Sequence, residues 1–145
     1  MSQKTENTNL ASEFYVISML HRIGLNPILT IANKKFIDII LLTKDKVVTI
    51  DVKGLIGKTS WLLGKKRPST KNNLHYYILV TYLNRIADPL YLPECFILPS
   101  KEIGKYTHKS KKGFVIRYSE LRINGCQFRG DWSILNSRRL PSRSS

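Results

Sequence analysis

The stretch from Phe36 to Lys53, FIDIILLTKDKVVTIDVK, constrains the fold more than any other part of this chain. Two apolar runs, each alternating with period two, flank a short polar segment, which is the pattern of an antiparallel hairpin. With the turn at Thr43-Lys44-Asp45-Lys46, Leu42 lies opposite Val47, Ile40 opposite Thr49 and Asp38 opposite Asp51. One face then carries Ile37, Ile39, Leu41, Val48, Ile50 and Val52 and is wholly apolar. Such a face must be buried, and burial fixes the register, because a slip of one residue would drive Asp38 or Asp51 into the core. The turn itself lacks the glycine that primed hairpin turns prefer.

The other face carries the chemistry. Cross-strand neighbours have Cβ atoms about 4.5–5.5 Å apart, and Lys53, two residues beyond Asp51, shares its face. Facing carboxylates repel, which a shared proton or a nearby cation relieves. Two carboxylates and a backbone carbonyl make an oxygen set suited to Mg²⁺, which keeps several waters and reaches substrate phosphates. Lys53 either neutralises the acid pair or takes part in chemistry there. A third acid, Glu13, stands three residues after Leu10 and just before Val16 and Ile17, so it points towards the buried side of a helix. A carboxylate in that place is expensive unless it is paired or binds a metal; the alternative is a position at the stripe's edge, reaching water.

The rest of the chain reads as α/β with a mixed sheet. Residues 8–23 form a helix, with Asn7, Thr8 or Asn9 as its cap, Leu10, Phe14, Ile17 and Leu20 as its apolar stripe and Gly24 at its end. Strands follow at 27–31, 36–42 and 47–53. A long basic connection, 54–73, holds a short strand around 61–63, and further strands lie at 74–83 and 94–98. Pro99-Ser100 starts a short helix to Tyr106, 114–118 is a late edge strand, and the basic tail from Ser137 reads as disordered. The expectation is one domain over 1–136 followed by that tail.

Twenty-four Lys and Arg against ten Asp and Glu leave a formal net charge of +14. Such a field attracts polyanions, and each neutralised phosphate of a nucleic acid releases counterions. No apolar run reaches membrane-spanning length, and the polar N-terminus is unlike a signal peptide, so a cytoplasmic protein acting on DNA is expected. Cys95 and Cys126 read as reduced thiols. His21, His75 and His108 are scattered and read as surface or strand residues. The segment from Gly54 to Thr59 lacks the spacing of a phosphate-binding loop.

At its acids the sequence resembles the PD-(D/E)XK nuclease superfamily, the restriction-endonuclease fold. The matching residues are Ala11-Ser12-Glu13-Phe14, Phe36-Ile37-Asp38-Ile39 and Ile50-Asp51-Val52-Lys53-Gly54, and the likeness extends through Tyr76–Tyr82 and the Phe96–Ser100 segment. No proline precedes Asp38, and the third-strand acid is Asp where Glu is commoner; neither departure removes a ligand. The resemblance implies a restriction-endonuclease-like αβββαβ core and a metal-dependent endonuclease using Mg²⁺ or Mn²⁺. Asp38, Asp51 and the Val52 carbonyl would hold the metal, helped by Glu13, and Lys53 would orient the attacking water or stabilise charge on the phosphate.

A basic loop after the catalytic strand would grip the DNA backbone, which makes Lys58, Lys65, Lys66, Arg67 and Lys71 the candidate phosphate contacts. No acidic residue stands between Gly54 and Asp88. Further clusters are Lys105, Lys109, Lys111 and Lys112, then Arg117, Arg122 and Arg129. Arg117 and Arg122 flank the late strand and are candidates for base contacts in a groove. Trp61 and Trp132 read as core or interface residues. In length, charge and acid spacing the chain resembles the small homing endonucleases of this superfamily encoded in cyanobacterial group I introns. These would act on long duplex DNA sites as homo-oligomers, dimers or tetramers. A type II restriction enzyme, a Holliday-junction resolvase and an inactive DNA-binding module are the alternatives.

Overall fold

A computed structural model describes residues 2–30, 38–136 and 139–141. Helix α1 spans Gln3–Arg22 and starts earlier than expected. Its cap is Ser2, whose hydroxyl accepts the Thr5 amide at 3.2 Å, and not Asn7, Thr8 or Asn9. The first turns are polar and exposed, so they carry no apolar period to reveal them. The buried face also differs from expectation. It runs through Thr8, Ser12, Glu13, Val16 and Leu20, whereas Leu10 and Phe14 are 47% and 57% exposed. Small hydroxyl residues occupy the seam because backbone approaches closely there: a Cβ on Gly54 would lie 2.4 Å from Ser12 Oγ and 3.0 Å from the Thr8 carbonyl oxygen. Beyond the helix, Gly24 takes φ 87°, the left-handed conformation that glycine tolerates best.

The strands are β1 (Pro27–Leu29), β2 (Ile39–Leu42), β3 (Val47–Leu55), β4 (Ser60–Gly64), β5 (His75–Thr81) and β6 (Glu94–Pro99). After them come α2 (Ser100–Ile103), β7 (Thr107–Ser110), β8 (Gly113–Arg117) and α3 (Tyr118–Asn124). Five strands form a mixed sheet in the order β1-β2-β3-β5-β6, in which β3 and β5 run parallel and the other neighbours antiparallel. A second, three-stranded antiparallel sheet has the order β4-β8-β7. Ile31, Phe36 and Ile37, expected at strand ends, lie outside the described residues.

Alternation along the strands divides the core in two. Val16 and Leu20 of α1 join Ile39, Leu41, Val48, Ile50, Tyr76, Ile78 and Ile97 in one cluster. The second cluster contains Tyr77, Leu79, Phe96 and Leu98 with Trp61, Ile103, Ile116 and Leu121. Since Tyr77, Leu79, Phe96 and Leu98 alternate with members of the first cluster, the larger sheet is covered on both faces: α1 on one, the second sheet on the other. Trp61 is buried, as expected, and its Nε1 donates to the Val80 carbonyl at 2.9 Å.

The late strand is not an edge. β8 lies between β4 and β7, and β7 and α3 were both missed. Nor is all of the tail outside the fold: Leu140 is buried in the α1-side cluster, and Lys46 Nζ donates to its carbonyl at 3.3 Å. Both cysteines are free, Cys95 buried and Cys126 exposed. Among the described residues, no helix is long and apolar enough to cross a membrane.

Candidate active site

The hairpin has the register its alternation demands. Leu42 pairs with Val47, Ile40 with Thr49 and Ile39 with Ile50. Its glycine-free turn is closed by Thr43, whose amide and hydroxyl both donate to the Lys46 carbonyl, at 3.0 and 2.9 Å. One step before β2, the Asp38 amide donates to the Ile50 carbonyl at 3.0 Å, one residue out of the ladder's register. The pairing therefore stops at Ile39–Ile50, and Asp38 is not paired directly opposite Asp51, contrary to expectation.

Asp38 is buried, and its Oδ2 accepts the Val52 amide at 2.7 Å. The carboxylate thus takes a backbone donor on β3 just before β2 begins, and that bond fixes the side chain's direction. The Asp51 side chain lies close to that of Asp38. Burial pushes the Asp51 carboxyl up, to about 7; Lys53 opposes the shift, and Asp38 adds to it. Lys53 Nζ stands 3.4 Å from Asp51 Oδ1.

These groups border a cavity of about 460 Å³ whose lining adds Glu6, Asn9, Leu10 and Glu13 from α1. Glu13 is 7% exposed and reaches this cavity from the helix side, so the inward reading of that residue holds. Glu6 was not anticipated, because the helix was started after it. Beside the acids on the same sheet face lie Thr49, His75 and Tyr77, since Thr49 pairs with His75 and Asp51 with Tyr77. Thr49 Oγ1 and His75 Nδ1 are hydrogen-bonded at 2.7 Å, and His75 stands edge-on to Tyr77 with centroids 4.9 Å apart. Burial, then the Asp51 charge, pushes the Tyr77 hydroxyl up to about 12; burial also lowers His75 against the pull of Asp38. No local signal reveals this grouping, which depends on the parallel pairing of β3 with β5.

Among the described residues, no three acidic, His or Cys groups converge as a closed cation cage. The donor set still suits a hard cation. Mg²⁺ binds through one or two carboxylates and otherwise through water and substrate.

The basic candidates separate. Lys58, Lys65, Lys66 and Lys71 are exposed. Arg67 stacks on the Phe114 ring at 4.8 Å, which ties its stem to β8. Arg117 projects from the outer face of the second sheet, opposite Ser60. Arg122 belongs to α3, and with Arg129 it opposes the burial and the Glu94 contact that raise the Tyr118 hydroxyl. Arg129 is engaged with Glu94 at 3.2 Å, so the three arginines do not act as one cluster.

No family model and no curated protein sequence matches this chain. Among solved structures, that of a bacterial homing endonuclease, I-Ssp6803I, is similar to it with a TM-score of 0.56. The likeness covers 92% of this chain and 93% of the other at 11% sequence identity. The chain therefore has the restriction-endonuclease-like α/β fold, as the residues around Glu13, Asp38 and Asp51 led us to expect.

Proposed function

We propose that this protein is a metal-dependent endonuclease that hydrolyses phosphodiester bonds of double-stranded DNA, acting as a homing endonuclease. The observation that carries the reading is the grouping of Asp38, Asp51, Lys53 and Glu13 around one cavity. A fold shared with a homing endonuclease and a net charge of +14 support it.

In this reading Asp38, Asp51 and the Val52 carbonyl hold Mg²⁺ or Mn²⁺, with Glu13 completing the site directly or through water. The bound ion supplies charge neutralisation at the scissile phosphate and acidifies water. Lys53 orients the attacking water or stabilises charge developing on the phosphate, its Nζ already held by Asp51. The Val52 amide keeps Asp38 aimed into the cavity, so little reorganisation precedes the reaction. Lys58, Lys65, Lys66, Arg67 and Lys71 hold the backbone, and Arg117 and Arg122 approach the duplex from the second sheet and α3. A long target exceeds the reach of one chain, so identical copies act together as a dimer or tetramer.

The test is cleavage with Mg²⁺ of a randomised duplex library beside an immobile four-way junction, with the oligomer measured by light scattering. A duplex consensus cut by an assembly of identical chains is expected, each mismatch costing about 1–3 kcal/mol. Junction-selective cutting without a consensus, or a strict monomer, would overturn the homing assignment.

A further inference from the structure

Next to the acid pocket lies a cleft of opposite character. Lys4, Thr5 and Asn9 of α1 face Gly57, Thr59 and Asn84 across a cavity of about 420 Å³. Asn9 borders both cavities, so the two adjoin along one side of the helix. Glu6, Glu13, Asp38 and Asp51 line the first, whereas no acidic side chain lines the second. Lys4 is exposed and forms no ion pair with any described residue.

The far wall of the cleft is firmly built. Leu83 and Asn84 take φ values of 47° and 65°, two successive left-handed residues that carry side chains. Such backbone persists only where the surroundings hold it. Here the Asn84 amide donates to the Ile56 carbonyl at 2.6 Å, and the Thr81 hydroxyl donates to the Gly57 carbonyl. Gly57 has little room for a side chain, since an added Cβ would lie 3.1 Å from Asn84 Oδ1. At its end the cleft meets the second sheet: the Tyr118 amide donates to the Thr59 carbonyl at 3.0 Å, and Ser60 pairs with the exposed Arg117.

We propose that this cleft is a second anion site, which seats a backbone phosphate of the DNA strand next to the phosphate being cut. The inference rests on the nuclease reading above and adds a path to it. The acid pocket rejects a phosphate unless a cation intervenes. The neighbouring cleft offers the Lys4 ammonium, the Thr5 and Thr59 hydroxyls and the Asn84 amide, the kinds of group that position nucleic-acid backbones. A strand leaving the acid pocket passes Asn9, enters the cleft and continues towards Arg117. Lys4 is the principal charge in it.

The experiment uses the duplex site cut by the wild-type protein, labelled with a fluorophore and carrying one uncharged methylphosphonate at each position in turn. Binding is followed by anisotropy in EDTA against salt concentration. One neutral position beside the scissile phosphate should weaken the wild type several-fold and reduce the logarithmic salt slope by roughly 0.9. Lys4→Gln, on an exposed turn, should show the same loss on the ordinary duplex and be indifferent to that methylphosphonate. Wild-type affinity in Lys4→Gln, or losses from the two changes that simply add, would overturn the site. A wild-type protein that neither binds nor cuts duplex DNA would instead overturn the nuclease reading, and this inference with it.

Discussion

Asp51 is largely buried beside Lys53 and Asp38, and the backbone of β3 pins the Asp38 carboxylate. That arrangement has a measurable consequence in metal-free solution. The folded protein holds the Asp51 proton to about pH 7, while the unfolded chain releases it near its ordinary value of 3.8. Stability from this source is complete below about pH 4 and is lost as pH rises through about 7. Asp51→Asn removes the titration. Melted in EDTA, the variant should gain on the wild type between pH 5 and pH 8, by a few degrees, and the gain should vanish near pH 4. An identical pH dependence of the two proteins would show that the Asp51 carboxyl is not raised in the folded state. The closeness of the two acids was legible in the sequence because the apolar face of the hairpin leaves one register, although the ladder stops at Ile39–Ile50, short of pairing them. Thr49, His75 and Tyr77 were not, because residues far apart in the chain became neighbours through a parallel pairing with no local signature.

Helix α1 brings Glu13 to the cavity, and one glycine sets its distance. A side chain at Gly54 would meet Ser12 Oγ and the Thr8 carbonyl, so Gly54→Ala must push the helix from β3 or distort the strand. Strain of this kind costs about 1–3 kcal/mol. Cleavage should fall further than DNA binding, because Glu13 moves while the exposed lysines stay. Equal losses in cleavage and binding, measured as kcat and Kd, would place the effect in global stability instead. Element boundaries were legible where burial imposed a period, as in β3, β5 and β6. They were illegible where it did not: the polar first turns of α1 follow Ser2 without any apolar mark. The outward Leu10 and Phe14 were misread for a related reason, since a helical stripe does not say which of two faces meets the sheet. β8 read as an edge because its neighbours are the short strands β4 and β7, one within the basic connection and the other in a lysine-rich segment.

At the scale of the molecule, two cores on opposite faces of one sheet hold the acid hairpin in place, and the cationic residues of the long connection and the second sheet lie outside them. The fold and the gathering of acids at one cavity were legible together because a single hairpin encodes both, whereas the second sheet depends on pairings across the basic connection. The central claim is that this hairpin cuts DNA with a divalent cation. Its most direct measurement compares wild type, Asp51→Asn and Lys53→Ala on duplex DNA, each with Mg²⁺ and with excess EDTA, scoring cleavage and binding in the same samples. Cutting by the wild type in Mg²⁺ alone is expected, with all three proteins folded and bound to DNA; cutting that survives EDTA, or that either variant retains in full, would overturn the assignment.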